Sequence, residues 1–440
     1  MDIVQITFLL FGCMLLLLFL GLPIVFALGS SAIILGLITV GPSALLLSTT
    51  SVLTATRTIV LMAAPLFIFM GNILKVSGMA EDLYSAAEKW IGGARGGLAV
   101  GTVLICTIFA ACTGVSGAAT VTMALIALPA MIKRGYDRKL AMGCIMAGGA
   151  LGQLIPPSLL FILYGFMANE SVGRLFASGF VPGLILSTLF NIYILVACYL
   201  KPSLGPATPP EDRGNWKEKF VALKSVIMPI LLVVAVLGSI FTGVATPTEA
   251  AAVGGLGALV IMFVNRRLTW PSMREALYST LGLSVMVMWI VIGASVFTAV
   301  FTASGGSDVV KKLLLEIGLP PIWIVVMMQL TLFFLGCFID PTGILMLTIP
   351  IYVPVVQALG FNNVWFGCLF VMNMEMAFLT PPYGVNLFYL RGIVPKEVPT
   401  KDIWRAAIQF ITVQAIGLTL MLLFPQLALW LPNLVFGVEK

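Results

Sequence analysis

The sequence contains no histidine and few charged residues. Asp, Glu, Lys and Arg make up 10% of its 440 residues, whereas soluble domains average about 25%. The absence of histidine excludes imidazole metal ligands and catalysis by Ser-His-Asp or Cys-His groups. The 7 cysteines lie in apolar segments without a CxxC pair, so they provide neither a disulfide framework nor a metal site. No Walker loop or dinucleotide fingerprint is present, so ATP-driven pumping has no support.

The chain is instead rich in hydrophobic residues, which occur in long runs. Hydrophobic residues make up 60% of the chain, and its mean hydropathy is +1.10. Runs such as 6–20, 226–240 and 408–423 approach the length of about 20 apolar residues that a membrane-spanning helix needs. No basic segment precedes the first run, so we interpret it as a mature helix and not as a signal peptide. The sequence predicts an all-α polytopic membrane protein.

Two of the apolar stretches are interrupted by small and polar residues. The stretch 97–132 contains Thr113, Gly114, Ser116 and Gly117, and the stretch 320–357 contains 340–343. A polar, helix-breaking centre at membrane depth is tolerated only where it is buried in protein or lines a cavity. We therefore predict two re-entrant helical hairpins. The remaining spans are predicted at 4–20, 21–40, 58–76, 138–164, 176–199, 225–242, 246–264, 276–301, 363–390 and 406–430.

The basic residues predict the orientation of these segments. The formal net charge is +6, and cytoplasmic loops of membrane proteins are enriched in Lys and Arg. With both termini placed in the periplasm, the first hairpin opens from the cytoplasm and the second from outside. All but five of the 24 basic residues then lie on the cytoplasmic side, the exceptions being Arg57, Arg174, Lys311, Lys312 and Lys440.

An internal repeat relates the two halves of the chain. Displacing the sequence by 225 positions matches Cys112 with Cys337, Tyr164 with Tyr389, and the proline pair at 156–157 with that at 381–382. Because the two hairpins open on opposite faces, the repeat is predicted to be inverted. This plan is typical of secondary transporters whose binding site lies near the membrane midplane.

Each half is predicted to contain scaffold helices, an amphipathic arm, a hairpin and a broken helix. The arm at 77–92 combines charged residues with Leu83, Tyr84 and Trp90, as expected for a helix in the membrane interface. The predicted divisions are the first scaffold helices (1–76), a cytoplasmic arm (77–94), the first hairpin and broken helix (95–165), further scaffold helices with a solvated linker at 200–224 (166–303), a periplasmic arm (304–319), the second hairpin and broken helix (320–390) and a C-terminal helix (391–440).

The two proline pairs point to binding sites for a cation. Two adjacent prolines remove two N–H donors, so each span must break and leave carbonyl oxygens unpaired. A desolvated Na⁺ suits such oxygens, and the hairpin centres supply more of them. We expect one sodium site at Thr113, Gly114, Ser116, Gly117, Gly149, Gly152, Pro156 and Ser158, and a second at Asp340, Thr342, Gly343, Glu375, Thr380, Pro382 and Gly384.

Three acidic residues in apolar segments have alternative roles. An ionisable residue at the centre of a membrane helix costs about 2.5–3.5 kcal/mol. Asp340 is interpreted as a cation ligand, with an N-cap of the following helix as the alternative. Glu249 lies at a predicted helix start, where stabilisation by the helix dipole accounts for it. Glu375 is left open between binding a cation or substrate and hydrogen bonding to neighbouring backbone.

Polar residues near these features are candidate substrate contacts. For Asn72, hydrogen bonding between helices is an equal alternative. Arg57 is interpreted as a headgroup contact, with attraction of an anion as the alternative. The candidates for substrate binding are Asn72, Ser116, Gln153, Thr342, Tyr383 and Asn386.

Five motifs resemble the large membrane subunit of tripartite ATP-independent periplasmic (TRAP) transporters, and the resemblance extends over essentially the whole chain. The pair Ala377-Phe378 departs from the smaller, glycine-containing pair usual in that family, which disfavours a large ligand. The motifs are GLPIVFALG (21–29), PLFIFMGN (65–72), GQLIPPS (152–158), ATPTEAA (245–251) and LTPPYGVNL (379–387).

The resemblance implies an elevator-type fold like that of the ion transporter superfamily, in which a transport domain moves against a fixed scaffold. It further implies import of a small organic acid, commonly a dicarboxylate or sialic acid, across the bacterial inner membrane on an inward Na⁺ gradient. Two or more Na⁺ ions and no nucleotide or transition metal are expected. The implied partners are a small four-helix membrane subunit (Q) and a periplasmic substrate-binding protein (P).

Two other transport functions remain as alternatives. A standalone Na⁺/carboxylate symporter with the same hairpins would need no binding protein. A Na⁺/H⁺ antiporter would need titratable carboxylates at the midplane, for which Asp340 and Glu375 are available. The sequence leaves the substrate open between a carboxylate and a sulfonate.

Overall fold

A computed structural model describes residues 3–209, 215–382 and 384–438, which form α-helices and no β-strand. In the first half the helices are α1 Ile3–Phe19, α2 Ile24–Thr39, α3 Ser43–Arg57, α4 Ala63–Val76, α5 Met79–Ile91, α6 Gly97–Thr113, α7 Ser116–Lys133, α8 Arg138–Ala150, α9 Leu159–Ala168 and α10 Val172–Leu200. In the second half they are α11 Trp216–Phe241, α12 Pro247–Val264, α13 Trp270–Ala303, α14 Gly306–Glu316, α15 Pro321–Gly336, α16 Pro341–Ala358, α17 Asn363–Ala377, α18 Val385–Arg391, α19 Thr400–Leu423 and α20 Gln426–Phe436.

The outer surface of the helical bundle is apolar. Among the described residues, eight helical segments are long and apolar enough to cross a membrane. Large side chains such as Phe19, Leu200, Phe263 and Leu434 are mostly exposed, and a surface of this kind is unfavourable in water. The prediction of an all-α polytopic membrane protein is therefore confirmed.

The helices from α5 to α9 and those from α14 to α18 follow the same order. The first residues of α7 and α16, Ser116 and Pro341, are 225 positions apart, and so are those of α8 and α17. Helix α7 ends at the bend around Gly135 and α16 at the bend around Gly360, and both glycines have a positive φ. The spacing of the elements thus matches the spacing of the sequence repeat.

Matching side chains start the two helices that lead to the proline pairs. Asp137 Oδ1 accepts hydrogen bonds from the N–H groups of Lys139 (2.9 Å) and Leu140 (3.0 Å) at the start of α8. Asn362, 225 positions later, accepts in the same way from the second and third residues of α17. Side-chain oxygens at this position satisfy N–H groups that have no partner inside the helix.

Helix α3 is an element that the sequence analysis missed. Its segment is rich in Ser and Thr, and hydropathy alone assigned no span to 43–57. In the structure the hydroxyl groups donate to carbonyl oxygens one turn earlier, for example Ser48 to Ala44 and Thr54 to Thr50. The hydroxyls are thereby paired inside the helix, so the segment can lie in an apolar environment at the edge of the bundle, where only Ala44, Ser48 and Ala55 are buried.

The described parts of the predicted linker 200–224 contain helix and backbone hydrogen bonds. Helix α11 begins at Trp216, inside that stretch. Backbone hydrogen bonds hold Gly205 and Thr208 to the turn at Gly96 and Gly92, each at 2.8 Å, and Leu204 O accepts from Asp137 N–H. The basic residue Arg213 and its neighbours at 210–214 lie outside the described residues.

Two groups of helices pack on each other. In the first group, α2, α3 and α4 pack on α13, and α12 packs on α4. In the second group, α6, α7 and α8 pack on one another, while α10 packs on α6 and α19 packs on α8. The groups meet where α4 crosses the end of α6, because a Cβ on Gly71 would lie 2.8 Å from Thr113 O. The candidate functional residues lie along this boundary and inside the second group.

We expect Asp137→Ala to lower the free energy of unfolding by about 1 kcal/mol, since the first turn of α8 loses its cap. Asp137→Asn keeps an acceptor oxygen and is the matched control. Thermal unfolding in detergent should show a lower Tm for the alanine variant only. An equal loss in both variants would show that the charge of Asp137, and not its cap, stabilises the protein.

Candidate functional site

The two proline pairs interrupt their helices. Helix α8 ends at Ala150, a short 3₁₀ turn follows, and α9 begins only at Leu159. We call 151–158 the first break and 378–384 the second, which separates α17 from α18. Both Pro–Pro peptide bonds are cis. Neither proline nitrogen can donate a hydrogen bond, so nearby carbonyl oxygens lose the helical partner that they would otherwise have.

The bend between α6 and α7, which we call the first tip (113–117), lies directly on the first break. A Cβ on Gly114 would lie 2.3 Å from Pro157 O, and Gly114 O accepts from Leu159 N–H at 3.4 Å. A Cβ on Gly152 would lie 3.2 Å from Val115 O. The structure thus brings most of the residues of the first predicted sodium site together.

Thr120 of α7 lies beside the first predicted sodium site, although it was not predicted from the sequence. A Cβ on Gly149 would lie 2.0 Å from Thr120 Oγ1, so only glycine fits at this position. Thr120 lies one helical turn after Ser116 on α7. That spacing of four residues is the signal that could have revealed it.

Several oxygens around the first tip are buried and unpaired. Among the described residues, Thr113 Oγ1, Thr120 Oγ1 and Gln153 Oε1 have no hydrogen-bond partner. Ser116 and Ser158 are also buried, and the Ser158 hydroxyl donates to Gln153 O. Buried polar atoms are nearly always hydrogen-bonded, so each exception requires an explanation such as a bound ion.

Gly117 and Pro156 occupy different positions relative to this cluster. A Cβ on Gly117 would lie 2.7 Å from the ring of Tyr389, so this part of α7 faces α18 and a neighbouring cavity. Pro156 lies within the first break itself, before the segment that contacts Gly114. Gly117 is therefore at the edge of the predicted site.

The bend between α15 and α16, which we call the second tip (337–340), is built differently. Asp340 Oδ2 accepts a hydrogen bond from Thr342 N–H at 2.9 Å and caps α16. A Cβ on Gly343 would lie 2.0 Å from Ile24 Cδ1, so this glycine faces α2. The close contact lies just outside the second tip and the second break, where the ends of α15 and α17 meet: a Cβ on Gly336 would lie 2.3 Å from that of Ala377.

The second break is held by hydrogen bonds of its own. Thr380 Oγ1 donates to Met376 O at 2.8 Å, and Asn386 N–H donates to Phe378 O at 3.1 Å. Gly384 O accepts from Leu387 N–H at 2.7 Å. Pro382 belongs to the same break, and Thr342 is buried in α16.

Glu375 is fully buried on α17, and among the described residues neither of its carboxylate oxygens has a hydrogen-bond partner. The polar side chain that faces it is Gln414 of α19, which is equally buried and unpaired. Asn373, on another face of α17, donates to Gln329 O and Oε1 of α15. Gln329, Asn373 and Gln414 were not identified from the sequence, although polar residues within predicted spans were a usable signal.

A cavity of about 480 Å³ lies between α4, α13 and the first tip. Asn72 lines this cavity. Its side chain also donates a hydrogen bond to Thr280 Oγ1 of α13 at 3.1 Å, so it links two helices as well. The other walls of the cavity are Ile68, Gly71, Lys75, Thr113, Val115, Gly117, Ala118, Val121, Tyr278, Ser279, Gly282, Leu283, Met286 and Tyr389.

The remaining candidates for substrate contact lie elsewhere. Asn386 donates to Met146 O at 3.0 Å and so links α18 to α8, while its own Oδ1 is unpaired among the described residues. Gln153 and Thr342 are not part of the cavity wall. Tyr383 lies outside the described residues.

Glu249 has a structural role. Its Oε2 accepts from Thr246 N–H and from the Thr246 hydroxyl, both at 2.8 Å, while Thr246 Oγ1 accepts from Glu249 N–H. This reciprocal arrangement is a capping box at the start of α12. Arg57 is exposed in the last turn of α3, where a positive charge is favourable.

The chain is similar to known transport proteins over most of its length. The family described as "Tripartite ATP-independent periplasmic transporter, DctM component" matches residues 11–427. The C4-dicarboxylate TRAP transporter large permease protein DctM of Vibrio cholerae is 32% identical over 400 residues, which cover 86% of this chain and 87% of that protein. The isethionate TRAP transporter permease protein DctMQ of Oleidesulfovibrio alaskensis is 31% identical over 390 residues, covering 88% of this chain and 61% of that protein.

A solved structure shares the fold. The YdaH transporter of Alcanivorax borkumensis superimposes with a TM-score of 0.60 at 14% identity, covering 84% of this chain and 85% of that one. The relatives identified by sequence are permease subunits and not enzymes. From the family match over residues 11–427 and this similarity, we conclude that the chain belongs to the DctM family and is a multi-pass membrane large permease subunit of a TRAP transporter.

Proposed function

We propose that the chain imports a small organic anion, a carboxylate or a sulfonate, together with Na⁺. The observation that carries this proposal is a set of three buried, unpaired side-chain oxygens on the first tip, on α7 just after it and on the first break. Thr113, Thr120 and Gln153 each contribute one such oxygen. Leaving a buried polar group unpaired costs about 1–3 kcal/mol, so an occupant that satisfies several of them together would stabilise this arrangement.

Na⁺ fits this group of atoms better than other occupants. The donors are hydroxyl, amide and backbone oxygens, with no sulfur or imidazole nitrogen, and hard cations prefer oxygen ligands. No carboxylate is part of the group, which favours a monovalent ion over a divalent one. We propose that the second site uses Asp340 with oxygens of the second break, and that Glu375 is held apart from it beside Gln414.

An inverted repeat and an elevator movement complete the proposal. The equal spacing of α7 with α16 and of α8 with α17 supports the repeat, and the basic residues support opposite orientations of the hairpins. Unpaired polar groups are unfavourable against lipid or apolar protein. We infer that the hairpins and broken helices move across the scaffold only when Na⁺ and substrate have satisfied these groups.

Two partners and a location belong to the proposal. A relative that is 31% identical carries the name DctMQ, and this chain covers 61% of it. The name of that relative combines M and Q, and the part of it that this chain does not cover is where a Q component would lie. We propose that this chain binds a separate Q subunit and receives substrate from a periplasmic binding protein in the bacterial inner membrane, with both termini periplasmic.

The first test replaces Na⁺. The complex of this chain, its Q subunit and its binding protein is reconstituted in liposomes, and uptake of radiolabelled succinate and isethionate is measured separately. An inward Na⁺ gradient should drive uptake of one of them, while K⁺ or choline in its place should give only background. Equal uptake with all three cations would overturn the coupling.

Thr120→Val should weaken Na⁺ activation of uptake about tenfold, because valine keeps the shape of threonine but removes one ligand oxygen. Thr49→Val is the matched control, since the Thr49 hydroxyl donates within α3 to Leu45 O. The measurement is the Na⁺ concentration that gives half-maximal uptake. An unchanged value for Thr120→Val would remove this residue from the site.

Asp340→Asn separates the two roles of Asp340, because asparagine also caps helices. If the carboxylate binds Na⁺, this variant should lose Na⁺-dependent uptake while its Tm stays near that of the wild type. Asp340→Ala, which removes both the cap and the charge, should lose uptake and also show a lower Tm. Normal uptake by Asp340→Asn would restrict this residue to capping α16.

A further inference from the structure

The cavity between α4, α13 and the first tip contains a single charged wall residue. Lys75, in the last turn of α4, is that residue, and the other wall residues that the structure describes are apolar or neutral. An organic anion in this space would need an opposite charge to offset its loss of hydration. Lys75 is the group on the wall that can supply it.

Lys75 already has an acidic partner that is easily displaced. Its Nζ lies 3.6 Å from Glu275 Oε1 of α13, and the two side chains are 31% and 58% exposed. Ion pairs with this degree of exposure contribute little to stability. Glu275 is not part of the wall, but it lies one helical turn from the wall residue Ser279. A second carboxylate or a sulfonate could therefore replace Glu275 at small cost.

A second groove follows the same face of α7 as the cavity and also contains charged residues. Ala118 and Val121 of α7 line the cavity. Leu125 and Ile132, farther along the same face of α7, line a second groove of about 760 Å³. That groove also includes Lys133 and Arg138, with Glu397 as its acidic residue. These basic residues lie in segments with the charge pattern of a cytoplasmic surface.

We propose that Lys75 is the residue that recognises the anionic group of the substrate, and that Glu275 displaces this group when the substrate leaves toward the cytoplasm. The proposal rests on the proposed import of a small organic anion and deepens it. Glu275 competes for the same ammonium group, so Lys75 is never left without a negative partner during the exchange.

The choice of lysine also bears on substrate class. An ammonium group is a point charge with three rotatable donors, whereas a guanidinium group holds its five donors in a fixed planar fork. A site built on Lys75 therefore accepts a flat carboxylate and a tetrahedral sulfonate alike. The nearby Arg274, whose guanidinium carbon lies 5.4 Å from the centre of the Tyr278 ring, is not part of the cavity wall.

The test measures KM and kcat for succinate and isethionate uptake by the reconstituted complex. Lys75→Gln should raise KM about 10- to 100-fold, the range expected for losing a hydrogen bond to a charged group. Glu275→Gln should lower KM and also lower kcat, because the competitor for release is gone. Lys312→Gln is the matched control, since Lys312 pairs with Glu316 at 3.7 Å on α14.

A charge exchange distinguishes recognition from a merely structural ion pair. The double variant Lys75→Glu with Glu275→Lys restores an ion pair but places a carboxylate on the cavity wall. It should remain as defective as Lys75→Gln. Recovery of wild-type KM and kcat would overturn the proposal, because only the pairing would then matter.

Chemical labelling provides a readout that does not depend on transport. An amine-reactive reagent is applied to the purified complex, and labelling of Lys75 and Lys312 is followed by mass spectrometry. Succinate or isethionate should slow the labelling of Lys75 and not that of Lys312. Protection without Na⁺-dependent uptake would contradict the proposed function alone, whereas no protection by either anion would overturn the role of Lys75.

Discussion

Backbone oxygens without a partner inside their own helix are the constraint on which the rest of this structure depends. The proline pairs at 156–157 and 381–382 interrupt α8–α9 and α17–α18 inside an apolar bundle, where water cannot supply the missing hydrogen bonds. A polar bend must therefore lie against each break, and the bend can approach only where side chains are absent. Gly114, Gly149 and Gly152 meet this requirement at the first break, since each contacts its neighbour too closely for a larger residue to fit easily.

The two halves share their order of elements but differ in what their tips contact. The first tip reaches its own break through Gly114 and Pro157, whereas Gly343, just after the second tip, faces Ile24 of α2. The oxygens that lack partners also differ: they cluster at the first tip, while Asp340 at the second already caps a helix. The two tips, which occupy equivalent places in the order of helices, thus have different environments: the first contacts its own half and the second contacts a helix of the other half.

Much of this arrangement could be predicted from sequence, because its signals are local. Apolar runs locate spans, and a proline pair or a Thr-Gly-Val-Ser-Gly interruption locates a break wherever it occurs. Helix α3 was missed because hydropathy counts a hydroxyl as polar even when it donates to its own helix, as in Ser48. Thr120 was missed because its importance comes from Gly149 on another helix. Gln414 has the same explanation, since only the packing of α17 on α19 brings it to Glu375.

The hydrogen bonds that fasten 204–208 to the turns at Gly92, Gly96 and Asp137 affect more than the linker. Helix α10 ends four positions before this attachment, and it packs on α6, α17 and α19. Because only a short segment separates the end of α10 from these bonds, α10 and the base of the first hairpin can separate only if the bonds break. If the first hairpin moves as proposed, the end of α10 must move with it or these bonds must break, so the moving body would include more than the hairpins and broken helices.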